Sequence, residues 1–258
     1  MWEPVWSRAR AALALGALAA VTATGALGGC GRAPGQFFII QNQVPESGCV
    51  IPAGKGATYR GEGTLDVRVP SALGDTAYEL FPLLENDFPL DPGGEVQPNR
   101  IALAGFDVDI ELVDGSAAVH DFFTARATDP ATQPLARYQV PWSGSVDAGG
   151  GLTAAFTNGF PTELAQSLRN AKLLADGSYL RVNLEVSAFG SNLAGRVTSD
   201  VFSYPLRVCD GCLIASVSAC PTSGSVLKGG ECNPAQDAPV DCCTQGADLI
   251  CPATTSSP

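Results

Sequence analysis

Apolar and polar residues alternate along most of this chain with a period of two, the mark of half-buried β-strands. The longest case is residues 101–113, where Phe106, Val108, Ile110 and Leu112 share one face and Asp107, Asp109 and Glu111 the other. Residues 178–189 repeat the pattern with Leu180, Val182, Leu184, Val186 and Ala188 inward. Residues 197–208 return after a turn at 190–195, which predicts a long hairpin with a loose turn. Residues 64–69 place Leu65, Val67 and Val69 inward and Thr64, Asp66 and Arg68 outward, ending at Pro70. Residues 37–44 carry aromatic and β-branched side chains and read as the first strand. Residues 119–124, 135–142 and 152–156 read as three more, with Ala136, Tyr138, Val140 and Trp142 alternating in the second of them. The apolar run 77–84 contains Pro82, which predicts an edge or bulged strand, and residues 86–99 form a long loop. Only residues 161–174 show helical spacing, with Leu164, Leu168 and Ala171 at i, i+4 and i+7. The expected fold is all-β: an immunoglobulin-like β-sandwich over residues 36–208 with one short helix. A small disulfide-rich C-terminal module follows at 209–251, where Cys is frequent and large apolar side chains are few. Residues 252–258 are Ser, Thr and Pro and read as a disordered tail.

The N-terminus has a different pattern. Arg8 and Arg10 precede an uninterrupted apolar stretch at 11–21, and residues 22–29 are small and turn-prone. That is the layout of a secretory signal peptide. A transmembrane anchor over 11–29 and plain secretion are the alternatives. The stretch is mostly Ala and Gly, and no other apolar run approaches the ~18 residues a spanning helix needs. Leu27-Gly28-Gly29-Cys30 resembles the lipobox of bacterial lipoproteins. The resemblance implies removal of residues 1–29 and lipidation of Cys30 with a diacylglycerol and a further acyl chain such as palmitate. Residues 30–35 then form a lipidated tether, and its five residues after Cys30 reach at most about 18 Å. In the lipoprotein sorting rule, Asp after the Cys retains the protein at the inner membrane. Gly31 therefore points to the outer membrane of a Gram-negative cell envelope, on its periplasmic or surface face. The layout of lipobox, β region and clustered Cys is similar to that of Cys-rich envelope lipoproteins.

Charge narrows the partners. The chain carries 15 basic and 26 acidic residues, a net charge of −11, and its only Lys are Lys55, Lys172 and Lys228. Such a surface repels nucleic acid, and there is no basic stripe to bind it. Membrane contact is expected through the lipid on Cys30. An envelope protein or a polysaccharide is the other partner class.

Nine Cys are present, and assigning Cys30 to lipid leaves eight: Cys49, Cys209, Cys212, Cys220, Cys232, Cys242, Cys243 and Cys251. An even set in an exported chain reads as disulfides. If all eight pair within the chain, parity sends Cys49 to a tail Cys, because the other seven cannot pair among themselves. Cys209 or Cys212 is the expected partner, since first and last strands of a sandwich are often neighbours. Cys209-Asp-Gly-Cys212 could also be a redox dithiol or half a zinc site. The βαβ setting of a redox motif is absent from the pattern, as is a second Cys pair with His, so a structural bridge is favoured.

The remaining chemistry is sparse. Asp107, Asp109 and Glu111 could attract a hard cation, but carboxylates on one face of a straight strand stand about 7 Å apart, so a solvated face is the better reading. His120-Asp121 is the one start for a His-based mechanism, and no G-x-S-x-G nucleophile elbow accompanies it. Ser143-Gly144-Ser145 reads as a turn. No catalytic residue, metal ligand or cofactor is assigned. The expected function is a lipid-anchored, non-enzymatic binding or structural protein. The alternatives are a subunit of an outer-membrane assembly and a glycan hydrolase with a dispersed site. A groove exposing Trp142, Tyr138 or Phe160 would favour glycan or peptide binding.

Overall fold

The computed structural model describes residues 36–70, 76–91, 93, 97–128, 135–175, 178–220, 229 and 232–252. Residues 1–35, where the signal segment, Cys30 and the tether are expected, and residues 253–258 lie outside the described residues.

The chain forms a β-rich sandwich. Its larger sheet has the order β3 (Gly63–Asp66), β12 (Phe202–Cys209), β10 (Tyr179–Asn192), β6 (Ile101–Asp114), β7 (Arg137–Val146), with β11 (Gly195–Thr198) also on β10. The second has the order β2 (Tyr59–Arg60), β1 (Phe37–Gln43), β5 (Pro82–Asn86), β8 (Gly151–Ala154). A two-stranded ribbon of β4 (Tyr78–Leu80) and β9 (Thr157–Phe160) and the helix α2 (Thr162–Asn170) complete the enclosure of one core. The inward residues read from the alternation supply that core: Phe106, Val108, Leu180, Val182, Leu184 and Val186 are at most 1% exposed.

The expected hairpin is present in a divided form. From Phe189 onward β10 pairs with β11; up to Val186 it pairs with β12. In β6 the inward parity changes. Ile101 and Leu103 point in at odd numbers, then Phe106, Val108 and Ile110 at even ones. The register shifts against both neighbouring strands at this point, so an extra residue is absorbed at Gly105. A Cβ there would meet the Val140 carbonyl oxygen at 2.4 Å, which keeps the position Gly.

Three expectations change. Residues 119–124 are helical, inside α1 (Ala117–Thr128), so the described residues hold two short helices. The apolar residues Val119, Phe122 and Phe123 stand at i, i+3 and i+4, a helical spacing, and the Ser116 hydroxyl accepts from the Val119 N–H as an N-cap. The run 77–84 is split at Phe81 between two sheets. Pro82 opens β5, a strand paired on both sides rather than an edge. As the first residue of its strand, Pro82 sits where the missing N–H disturbs the ladder least. Ser143 to Ser145 lie within β7, where Gly144 leaves room for the Trp142 ring to lie over the backbone.

The C-terminal part adds β13 (Ile214–Ala219), β14 (Val240–Gln245) and β15 (Asp248–Ile250), with β13 parallel to β14. It packs onto the sandwich: Ala235, Val240, Cys242 and Cys251 belong to the same core cluster.

Candidate functional site

The four bridges are Cys49–Cys232, Cys209–Cys212, Cys220–Cys243 and Cys242–Cys251. Cys49 does reach the tail, as parity requires. Its partner is Cys232, not Cys209 or Cys212, because β12 ends beside β3 while the 232–238 segment reaches the end of β1. In the loop-closure account, a bridge across 183 residues contributes about 5 kcal/mol, and one across three contributes about 2 kcal/mol.

The Cys49–Cys232 bridge borders a cleft of mixed polar and apolar lining, about 180 Å³, between the end of β1, the short β2 and residues 232–238. Asn42, Gln43, Arg60, Gln236 and Asp237 supply its polar lining, and Phe81 its aromatic one. Asn42 and Gln43 are buried at the strand end, where backbone groups run out of ladder partners. Asn42 Oδ1 accepts from the Phe81 N–H at 2.6 Å, just where Pro82 breaks the run. Gln43 Nε2 donates to the carbonyls of Pro52 and Gly54.

The tail reaches the cleft by imitating a strand. Gln236 brackets Glu79, accepting from its N–H at 2.9 Å and donating to its carbonyl at 3.2 Å. Asp237 has φ 66°, in the left-handed region that Asp tolerates better than most residues. Its N–H donates to Thr64 O at 2.9 Å and its Oδ1 accepts from the Thr64 N–H at 2.8 Å. Its Oδ2 accepts from the Tyr78 hydroxyl at 2.9 Å and lies 3.3 Å from Arg60 Nε. The Tyr78 and Tyr204 hydroxyls are 2.8 Å apart.

Burial dominates the electrostatics. It raises the Asp237 carboxyl above its ordinary value, although the Thr64 N–H, Arg60 and Tyr78 all favour the charged form. Burial, then the Asp237 charge, hold the Tyr78 hydroxyl well above its ordinary range. Burial also pushes Tyr204 up to about 12. Both tyrosines therefore stay protonated at neutral pH, and the cleft offers a guanidinium–carboxylate pair backed by a hydroxyl chain.

The residues singled out from the sequence are scattered. His120 and Asp121 are exposed on α1. Asp107 accepts from Gln139 and Asp109 pairs with Arg137 across the sheet, so two members of the acidic stripe have side-chain partners on β7. Phe160 is fully buried, Tyr138 donates its hydroxyl to the Asn158 carbonyl, and Trp142 packs edge-on to Phe106. Phe160 lies in the core, Tyr138 and Trp142 pack half-buried against it, and none of the three lines the cleft. Asp66, expected on the wet face, is fully buried. Its Oδ1 accepts from the N–H groups of Arg68 and Gly211 and its Oδ2 from that of Leu213. Asp66 lies with Cys209 and Cys212 in a cluster of metal-ligating types, but the two sulfurs are bonded to each other. The cleft residues Arg60 and Asp237 escaped sequence reasoning. The one signal for them was a polar pair, Asn42-Gln43, closing an apolar strand.

Compared with protein-family models, curated proteins and solved structures, the chain matches none.

Proposed function

We propose that the chain is a lipid-anchored protein of the bacterial cell envelope whose sandwich is a non-enzymatic binding module. The anchor rests on Leu27-Gly28-Gly29-Cys30 behind its signal-like segment. Each buried methylene of an attached acyl chain contributes about 0.8 kcal/mol, so two or more chains hold a folded domain at a membrane without a spanning helix. Gly31 favours the outer membrane.

The binding role rests on one observation: the walls of the cleft are fixed in advance by hydrogen bonds and the Cys49–Cys232 bridge. A surface already ordered loses little entropy on binding. Its volume of about 180 Å³ is below the ~300 Å³ at which drug-sized pockets begin, and suits one sugar unit or one polar side chain of a partner. The net charge of −11 favours a neutral or cationic ligand over a polyanion.

A second reading, a subunit of an outer-membrane assembly, is favoured by β13. Five of its six residues are exposed, and among the described strands it pairs only with β14. An open edge of this kind can accept a partner strand.

The test is to purify the native protein from membranes in mild detergent after brief cross-linking, with mass analysis of its N-terminus. Acyl chains on Cys30 and release of a Cys30→Ser variant from membranes are expected. An unprocessed N-terminus would overturn the anchor. A stoichiometric partner would select the assembly. Recovery alone, with glycan binding lost in Arg60→Ala, would select the cleft, and glycan turnover would overturn the non-enzymatic reading.

A further inference from the structure

We propose that Cys209–Cys212 is a redox-active disulfide that exchanges with thiols through Cys212. This goes beyond the binding role and does not depend on the lipid anchor.

The two sulfurs belong to residues in unlike surroundings. Cys209 closes β12 and is 1% exposed, whereas Cys212 is exposed in the following loop. An incoming thiolate can reach only the latter side of the bond. The loop is also built without the bridge. The Asp66 carboxylate holds the N–H groups of Gly211 and Leu213, on either side of Cys212, at 2.7 and 2.8 Å. Arg68 Nε pairs with Asp210 at 2.6 Å, and the Val67 N–H donates to the Cys209 carbonyl at 2.8 Å. Gly211 sits at φ +91°, a left-handed conformation that lets the chain turn over Asp66. A bridge between residues three apart in an already fastened loop adds the least constraint of the four. Opening it is a local event. Opening Cys49–Cys232, whose Cys49 is also exposed, would release the clip between the β1 end and the tail.

The reaction balances with two thiols as reductant. A thiolate attacks Cys212 Sγ, a mixed disulfide forms, the Cys209–Cys212 bond breaks, and the departing Cys209 thiolate takes a proton from water. A second thiolate attacks the partner sulfur of the mixed disulfide and releases Cys212. The partner leaves as a disulfide, and its two electrons stay on the Cys209/Cys212 dithiol.

The test treats the full-length native protein with reduced glutathione, quenches in acid, alkylates and maps each Cys. Thiols at Cys209 and Cys212 are expected at least about tenfold faster than at the other six bridged Cys, with the β-sheet circular dichroism unchanged and the first adduct on Cys212. A Cys209→Ala/Cys212→Ala variant, still folded, should lack the fast phase. Opening in step with the other bridges, opening only with loss of structure, an adduct on Cys209, or a fast phase that survives in the variant would each overturn the proposal. A parallel arm with a reduced single-Cys peptide identifies the source. A faster reaction than with glutathione marks a protein thiol as the natural partner, and a slower one marks a small thiol.

Discussion

The sandwich and the tail solve the same problem with different means. The sandwich buries long alternating strands, and its central strand β10 places Leu180, Val182, Leu184 and Val186 in a core reached from every layer. The tail lacks that side-chain volume. It is held by three bridges within residues 209–251, by a fourth to β1's exit loop, and by polar side chains that stand in for strand pairing. Apolar packing needs no particular partner, so it tolerates exchange of one apolar residue for another of similar size. A bridge or a buried carboxylate needs one named partner, so the tail's hold on the sandwich concentrates in a few residues.

That contrast can be broken first at its covalent clip. Removing the Cys49–Cys232 bridge by paired Ala substitutions should lower stability by about 5 kcal/mol, against about 2 kcal/mol or less for the Cys209/Cys212 pair, as read by urea denaturation. Equal losses would mean that the long-range clip is not what fastens the tail. Next comes the core. Leu184→Ala, at a fully buried position, should cost about 2–5 kcal/mol without freeing the tail, and proteolysis of the two variants separates the cases. Gly63→Ala is a smaller change at the seam. Its Cβ would fall 2.2 Å from the Tyr78 hydroxyl oxygen, displacing that ring from Asp237 at a cost of about 1–3 kcal/mol. An unaltered melting temperature would show that the seam yields freely.

The smallest effect is one of pH. Burial raises the folded-state pKa of Asp237 above 3.8, so the folded protein keeps this proton longer than the unfolded chain does. The resulting stability is complete below 3.8 and is lost as pH rises through the folded value. Burial of Glu79 acts in the same direction. Asp237→Asn should flatten, without abolishing, the decline in unfolding free energy across that range. A slope identical to the wild type would remove Asp237 from the account. Tyr204, up at about 12, gives the same sign at the alkaline end.

Much of the fold was legible because its strands alternate cleanly. β1, β6, β7, β10 and β12 all sit where the pattern predicts. The misread element, α1, is instructive: Val119, Phe122 and Phe123 fit a helical stripe, but a short apolar run next to strands on both sides invites a strand assignment. Asp66 could not be read at all. A carboxylate in an alternating strand belongs by pattern on the wet face, and its burial depends on the Gly211 and Leu213 N–H groups, about 145 residues away in the chain. The cleft was equally hidden, since Arg60 and Asp237 are 177 positions apart in the numbering and neither belongs to a motif.

By itself the sequence determined the all-β class, the inward face of β10 and of β6 beyond Gly105, the two-part composition of the chain and, once Cys30 is set aside, through parity the tie between Cys49 and the tail. These follow from local periodicity and counting. Tertiary structure alone decided which Cys receives Cys49, where Pro82 splits its run, why Asp66 is buried and how Arg60, Tyr78 and Asp237 converge. Each of those depends on a partner distant in the chain, and the free energy of burying a polar group is set by whether that partner arrives.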